Sequence, residues 1–194
     1  MTNKIQEANL AMVVSKTFSG LNVNALRYLL PLWIAPLTGV TFRCVFAAVA
    51  FWIIGYWAKP ETASVKDKIY LFLLGAVGIY GYMFSYLMGL SKTTPVSAAI
   101  FTSMQPIWVF ILSVFFFNEK ATVMKIVGIL VGLGGALLCI STQKSDDLAS
   151  DAFSGNLFCL VSSVIYAVYL ILSNRFLKRT GPYTLMRYTF SGAA

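Results

Sequence analysis

Two long apolar stretches lie on either side of a short charged patch at Asn118–Lys120, and they constrain the fold more than any other feature of the chain. The first, from about 96 to 117, contains no charged residue, and the second, from about 126 to 140, is apolar and rich in glycine. Each approaches the ~20 residues that an α-helix needs to cross a hydrocarbon core ~30 Å thick. The joint between them has room only for a tight hairpin at a membrane surface. The pair therefore predicts a polytopic membrane protein.

The composition supports the same prediction. The chain is 58% hydrophobic and only 11% charged, whereas soluble domains are about 25% charged. Its net charge of +8 does not indicate nucleic acid as a partner, because the Lys and Arg residues cluster between apolar stretches as they do in membrane loops. The sequence contains no His, and its three Cys residues lie in apolar stretches without metal-ligand spacing. We therefore predict neither an enzyme nor a cofactor or metal site.

We predict an all-α, polytopic transmembrane helix bundle with six complete helices and the start of a seventh from about Tyr183. The six segments run at about 8–29, 35–58, 69–90, 95–117, 123–141 and 156–174. Nine Lys and Arg residues fall at one set of alternating segment ends and three at the other. The positive-inside rule then places the N-terminus in the cytoplasm of a multi-pass plasma membrane protein, in the inner membrane if the cell is a bacterium with two membranes.

A weak internal repeat relates the two ends of the chain. Residues 9–15 align with 156–162 at an offset of 147, and residues 35–38 align with 181–184 at an offset of 146. Chance similarity between apolar helices is the alternative. A real repeat would hold five helices, an odd number, so the second unit would enter the membrane inverted, as in many secondary transporters. We then expect a first unit at 1–142, an extracytoplasmic linker at 143–155 and an incomplete second unit at 156–194, as in a fragment of a ten-helix protein.

Polar residues inside the spanning segments are candidates for a substrate path, because a polar group is costly in a membrane and usually faces a cavity or a partner. Lys16 and Asn22 lie in the first segment, although Lys16 would extend to the headgroups if that helix began near Ala11. Arg43 lies inside the second segment. It would either bind an anionic group such as a substrate carboxylate or anchor the helix near the outer interface.

The fourth segment has the most informative pattern of polar residues, because Thr102 and Gln105 lie within about one turn of Pro106. Proline removes the N–H that would bond the Thr102 carbonyl, so we expect a kinked helix. The freed carbonyl and its polar neighbours would either contact a substrate or belong to a packing kink whose hydroxyls bond back to their own helix. Tyr82 and Tyr86, one turn apart in the third segment, would line a pore or belong to the bundle core.

Small residues recur at helical spacing in two segments and predict close helix packing. The ladder of the third segment comprises Gly81, Ser85 and Gly89, and that of the fifth comprises Gly128, Gly132 and Ala136. Every acidic residue lies near a predicted membrane surface, so the sequence shows no buried carboxylate that would carry a proton. Coupling to protons is possible, and the identity of the coupling ion stays open.

Several of these motifs, in this order, resemble the first EamA-type unit of the drug/metabolite transporter superfamily. They are the stretch Leu90–Ala99, the triplet Gln105–Ile107, the patch Phe117–Lys120 and the glycines Gly128 and Gly135. Gly20, Asn22 and Arg43 also resemble family positions, whereas Ser19 and Asn118 depart from the Trp and Gly that the family often has there.

The resemblance implies a ten-helix exporter of small metabolites, such as amino acids or amphiphilic compounds. Transport would be secondary, through a cavity between two five-helix halves in a lipid bilayer, with both termini in the cytoplasm. A sugar-phosphate or nucleotide-sugar antiporter of the same superfamily is an alternative, and so is a six-helix scaffold or channel subunit. The substrate, the direction of transport and the oligomeric state stay open.

Overall fold

The computed structural model describes residues 2–30, 33–58, 61–117, 122–142 and 151–194. Within these ranges all regular structure is helical, which confirms the predicted all-α bundle. The helices are α1 (Thr2–Leu29), α2 (Pro36–Trp57), α3 (Val65–Lys92), α4 (Pro95–Phe117), α5 (Val123–Thr142), α6 (Ala152–Thr180) and α7 (Pro182–Ala193). Each lies on a predicted segment, although α3 and α6 extend well past the ends of their apolar stretches.

Length and apolar composition make α2, α3, α4 and α6 able to cross a membrane, and α5 contains a shorter apolar helix at Val123–Gly135. Proline sets the start of three helices, at Pro36, Pro95 and Pro182. Its missing N–H costs nothing in the first turn, and its fixed φ suits a helix start. Thr94 adds a side-chain cap to α4, because its hydroxyl accepts a hydrogen bond from the Ser97 N–H at 3.1 Å.

Two helices contain irregular turns. In α3 the residues Gly75–Ile79 form a π-helical turn, and α4 is interrupted at Met104, two residues before Pro106. The π turn lies where α3 meets α7 backbone to backbone. A Cβ at Gly75 would overlap the Thr189 carbonyl, and a Cβ at Gly192 would overlap the Phe72 carbonyl. Glycine on both helices is therefore what allows this close approach.

Contacts at both ends of the bundle fix the relative directions of the helices. Asp67, near the start of α3, pairs with Arg179 near the end of α6 at 3.5 Å. At the other end of α3, the Thr93 hydroxyl hydrogen-bonds Asn156 Oδ1 at 2.7 Å. The helices α3 and α6 therefore run antiparallel. We name the end that carries the α2–α3 and α6–α7 connections the basic end, and the other the opposite end.

The directions of the remaining helices agree with an inverted repeat. Gly39 at the start of α2 lies against Leu87 near the end of α3 and Leu30 just past the end of α1, so α1 and α3 run the same way. The first helix of the expected second unit, α6, runs against them. Gly55 near the end of α2 meets Arg187 near the start of α7, so these two are also antiparallel. The unit boundaries at 1–142, 143–155 and 156–194 stay a prediction.

The core lies between α3 and α6, with α2, α4 and α7 packed around them. Leu87, Leu90 and Cys159 are fully buried there, and Cys44 joins them from α2. By contrast, the side chains described on α1 are almost all exposed, and this helix reaches the core only near its end, through Val23, Leu26 and Leu30. The Asn118–Lys120 patch lies outside the described residues.

Candidate functional site

Four tyrosines form a continuous cluster between α3 and α6. The ring centroids of Tyr82 and Tyr86 on α3 are 6.2 Å apart, and those of Tyr82 and Tyr166 on α6 are 4.6 Å apart. Tyr169 extends the cluster at 6.0 Å from Tyr166, and its hydroxyl lies near the Thr189 side chain on α7. Ring pairs at these separations attract one another beyond their area burial. The cluster therefore joins helices of both expected units through aromatic contacts.

Two predicted site residues lie next to this cluster. The Gln105 side chain lies near the Tyr82 hydroxyl, at the interruption in α4. The Arg43 guanidinium on α2 is close enough to Tyr82 and Tyr86 to interact with both electrostatically. A cation beside aromatic rings and amide donors can hold a carboxylate and a planar ring at the same time.

The cluster lies near the middle of the membrane-spanning region. Tyr82 is ten residues from the end of α3 and Gln105 is ten residues from the start of α4, which is ~15 Å in each case at 1.5 Å per residue. Tyr166 is 14 residues from either end of α6, or ~21 Å. Substrate sites of secondary transporters lie at this depth, often beside discontinuous helices like α4.

A groove of about 590 Å³ lies between α4 and α6, in the halves of these helices that approach the basic end. Its lining combines apolar and polar side chains: Val109, Ser113, Phe117, Leu170, Ile171, Ser173, Asn174, Leu177 and Lys178. Gln105 lies one helical turn before Val109, and Tyr166 lies one turn before Leu170. Since residues four apart share a helix face, the groove leads toward the tyrosine cluster.

The structure brings four of the predicted path residues together and leaves the others apart. Tyr82 and Tyr86 belong to the cluster, Gln105 lies near Tyr82, and Arg43 lies within electrostatic range of both tyrosines. Lys16 and Asn22 are exposed on α1, away from these side chains. The Thr102 hydroxyl bonds back to the carbonyls of Ala98 and Ala99 at 3.1 and 2.9 Å, and Pro106 is exposed.

The two predicted packing ladders differ. On α3, Ser85 is buried and Gly89 lies so close to α6 that a Cβ there would be 2.8 Å from the Gly155 carbonyl oxygen. Gly81 is roomier, with Ile165 at 3.9 Å. On α5, Gly132 has Ile107 at 3.7 Å, whereas no other part of the described chain comes within 4 Å of a Cβ at Gly128. The Ala136 side chain lies outside the described part.

Sequence reasoning did not identify Tyr166, Tyr169, Thr189 or Trp108 as site residues. Tyr166 and Tyr169 lie one turn apart on α6, as Tyr82 and Tyr86 do on α3, and this shared spacing was the available signal. Trp108 lies one turn after Gln105, and its buried indole N–H has no acceptor among the described residues. A buried donor without a partner is costly, so this N–H is available to a ligand.

Comparison with known proteins identifies the family of this chain. A family model described as the EamA-like transporter family matches residues 6–141. The chain belongs to the EamA-like transporter family. The family resemblance drawn from Leu90–Gly135 is thereby confirmed, and the chain is a multi-pass membrane protein.

Three relatives from bacteria and archaea illustrate the match. The uncharacterized transporter YyaM of Bacillus subtilis is 26% identical over 175 residues, which cover 89% of this chain and 57% of YyaM. An uncharacterized transporter of Archaeoglobus fulgidus is 26% identical, with coverage of 91% and 60%. The aromatic amino acid exporter YddG of Ancylobacter novellus is 27% identical over 105 residues, which cover 54% of this chain and 37% of YddG.

One solved crystal structure supports the fold. It matches with a TM-score of 0.58 at 19% identity, and the match covers 93% of this chain and 64% of the solved one. The chain therefore spans about 60% of the length of YyaM, of the Archaeoglobus transporter and of the solved chain.

Proposed function

We propose that this protein is a secondary transporter that exports small metabolites across the plasma membrane by alternating access. The observation that carries the proposal is the cluster of Tyr82, Tyr166, Gln105 and Arg43 at mid-membrane depth beside an interrupted helix. Family membership supports transport as the activity, and the absence of a P-loop pattern in the sequence favours a secondary mechanism.

The substrate that fits this chemistry has an aromatic ring and a carboxylate. Tyr82 and Tyr166 offer ring faces for stacking, and Arg43 offers a planar pair of donors for a carboxylate. The indole N–H of Trp108, which has no acceptor among the described residues, offers a further donor. Aromatic amino acids combine these features. The relative named as an aromatic amino acid exporter supports the same substrate class.

The groove between α4 and α6 would be the access route for this substrate. It lies in the half of the bundle toward the basic end, which we predict to face the cytoplasm from the count of Lys and Arg. A substrate would enter beside Asn174 and Lys178 and reach Tyr166 about two turns deeper along α6. Release on the far side would require the contacts at the opposite end, such as Thr93 with Asn156, to separate.

An antiporter of sugar phosphates or nucleotide sugars is the second candidate. Such substrates carry about two negative charges on their phosphates, and they would favour several cations along the route. Within the described residues, Lys178 is the one cation that lines the groove, and Arg43 is the one beside the tyrosine cluster. The cation count therefore favours a substrate with a single carboxylate.

A counterflow experiment tests the proposal, because exchange of substrate for substrate requires no assumption about the coupling ion. The protein, expressed from its native gene, is reconstituted into liposomes loaded with unlabelled L-phenylalanine, and uptake of labelled L-phenylalanine is followed. We expect uptake above that of empty liposomes, with competition by L-tryptophan and none by glucose 6-phosphate.

The Tyr82→Ala variant should reduce this exchange about tenfold, the effect of losing ~1.4 kcal/mol of aromatic contact. Tyr183→Ala is the matched control, because Tyr183 is an exposed tyrosine at the start of α7, outside the cluster. Exchange of sugar phosphates without exchange of amino acids would replace the proposal with the antiporter. If no compound is exchanged, transport of both amino acids and sugar phosphates is ruled out.

A further inference from the structure

Two cations and two aromatic rings form a patch on the outside of the bundle, apart from the tyrosine cluster. The Arg187 guanidinium lies over the Trp52 ring at 5.4 Å, and the Lys68 ammonium lies over the Tyr188 ring at 5.6 Å. The two rings meet edge to face at 6.0 Å. The Trp52 indole N–H also donates to the Ser191 hydroxyl at 2.9 Å. We call Trp52, Lys68, Arg187 and Tyr188 the cationic–aromatic patch.

The patch lies within two helical turns of the helix ends at the basic end of the bundle. Trp52 is five residues before the end of α2, and Arg187 is five residues after the start of α7, which is ~7.5 Å in each case. Lys68 is three residues after the start of α3, or ~4.5 Å. Three helices therefore present these side chains at a similar shallow depth at the basic end.

The positive charge of the patch is not neutralised by the nearby acids. Asp67 pairs with Arg179, and the Glu61 oxygens accept hydrogen bonds from the backbone of Tyr183 and Thr184. Within the described residues, neither Lys68 nor Arg187 has a carboxylate partner. The patch therefore keeps a charge of +2.

Arg187 is also only partly satisfied in its hydrogen bonding. One terminal nitrogen donates to the Gly55 carbonyl at 3.0 Å, whereas the buried Nε–H has no acceptor in the described part of the chain. Gly55 makes room for the guanidinium, since a Cβ there would overlap Arg187 Nε. Near the basic end, the helices thus hold a guanidinium whose Nε–H lacks an acceptor within the described residues.

We propose that the cationic–aromatic patch binds the phosphodiester headgroup of an anionic glycerophospholipid in the adjacent leaflet. Arginine and lysine donors suit phosphate oxygens, and basic sites between transmembrane helices at the cytoplasmic surface bind anionic lipids. A lipid fits better than free phosphate because an apolar track continues from the patch. Val45, Val49 and Trp52 share one face of α2 and are 40%, 51% and 47% exposed, which provides a surface for an acyl chain.

The test is native mass spectrometry of the intact protein in detergent with equal amounts of phosphatidylglycerol and phosphatidylcholine. The protein should retain phosphatidylglycerol preferentially. The Lys68→Gln and Arg187→Gln variants should each bind it about fivefold more weakly, as expected for loss of one surface charge. Lys66→Gln is the matched control, because Lys66 is an exposed cation on the same turn of α3. The control should bind phosphatidylglycerol like the unaltered protein.

A thermal-unfolding experiment separates the two sources of phosphate. Phosphatidylglycerol should raise the unfolding temperature of the unaltered protein and of Lys66→Gln, but not that of Lys68→Gln, and inorganic phosphate should have no such effect. If Lys66→Gln and Lys68→Gln lose phosphatidylglycerol binding equally, the proposal is overturned. Equal retention of phosphatidylglycerol and phosphatidylcholine by the unaltered protein would also overturn it. An equal rise with inorganic phosphate would replace the lipid with a free anion. Because Lys68 is on the surface, its variant tests the proposal even if Arg187→Gln fails to fold.

Discussion

The carboxylate of Glu61 accepts a hydrogen bond at 2.6 Å from the backbone N–H of Thr184, the third residue of α7. Its second oxygen accepts from the Tyr183 N–H at 3.3 Å. The first N–H groups of a helix have no partner within the helix, and the helix dipole favours a negative charge there. The segment before α3 thus caps a helix that begins more than 120 residues later in the chain.

Replacing Glu61 with Ala should destabilise the protein, because two N–H groups of α7 would lose their acceptor. We expect a loss of about 1 kcal/mol, the usual effect of removing a helix cap, measured as a lower midpoint of thermal or denaturant unfolding. Glu7→Ala is the control, because Glu7 is an exposed glutamate on α1. A midpoint unchanged in Glu61→Ala would mean that solvent replaces the cap without cost.

The α3–α6 contact predicts opposite effects for two glycines on the same helix. At Gly89 an added Cβ would be 2.8 Å from the Gly155 carbonyl oxygen and 2.9 Å from the Cys159 backbone nitrogen, so Gly89→Ala should destabilise by about 1–3 kcal/mol. At Gly81 the nearest atom is 3.9 Å away, so Gly81→Ala should be neutral or stabilise by up to about 1 kcal/mol. The unfolding midpoints of the two variants test this prediction. Equal midpoints would contradict the close approach of α3 and α6 at Gly89.

The start of α6 should respond to acid through Asp151. Its carboxylate accepts hydrogen bonds from Ser154, including one from the backbone N–H at 3.2 Å, and these hold the pKa of Asp151 below its ordinary value of 3.8. A carboxylate whose pKa is lower in the folded state stabilises the protein at pH values above its pKa in the unfolded state. This stabilisation is lost as the pH falls through the pKa of the folded state. The unfolding midpoint of Asp151→Ala should therefore lie below that of the unaltered protein near neutral pH. The two midpoints should converge as the pH falls below 3.8 and through the lowered pKa, and a constant difference would contradict the cap.

The interruption of α4 predicts an effect of Pro106 on transport. Pro106→Ala restores a backbone N–H, which should let α4 continue through Met104 and move Gln105 away from Tyr82. We expect higher thermal stability together with about tenfold slower counterflow, the effect of losing a polar interaction worth ~1.4 kcal/mol. Pro95→Ala is the matched control, because Pro95 begins the same helix and lies outside the cluster. Unchanged kinetics in Pro106→Ala would make the proline a packing detail.

The sequence predicted the helices well because each signal was local. Apolar length located α2, α3, α4 and α6, and Pro106 indicated the interruption at Met104. Local patterns could not indicate the π turn at Gly75, which lies where two helices touch backbone to backbone. A glycine ladder likewise indicates that close helix packing is possible, but it does not indicate which helix is the neighbour. Gly89 has such a neighbour, and Gly128 has none in the described chain.

The candidate site shows the same limit. Arg43, Tyr82, Tyr86 and Gln105 were each notable as polar residues in apolar segments. The contact of Tyr82 with Tyr166 depends on which helices are neighbours, and that information is long-range. Lys16 was equally notable in the sequence, yet α1 leaves it exposed. Burial of a polar residue in a spanning segment is therefore a property of the bundle and not of the segment.

The central claim is that Arg43 holds the carboxylate of an aromatic substrate beside Tyr82. Equilibrium binding of labelled L-phenylalanine and of 2-phenylethylamine, which lacks the carboxylate, tests it in the unaltered protein and in Arg43→Gln. Arg175→Gln is the control, because Arg175 is exposed on α6. We predict that Arg43→Gln weakens phenylalanine binding about 10- to 100-fold, as for loss of a charged hydrogen bond, and leaves phenylethylamine unaffected. Equal phenylalanine affinities of the unaltered protein and Arg43→Gln would contradict the account.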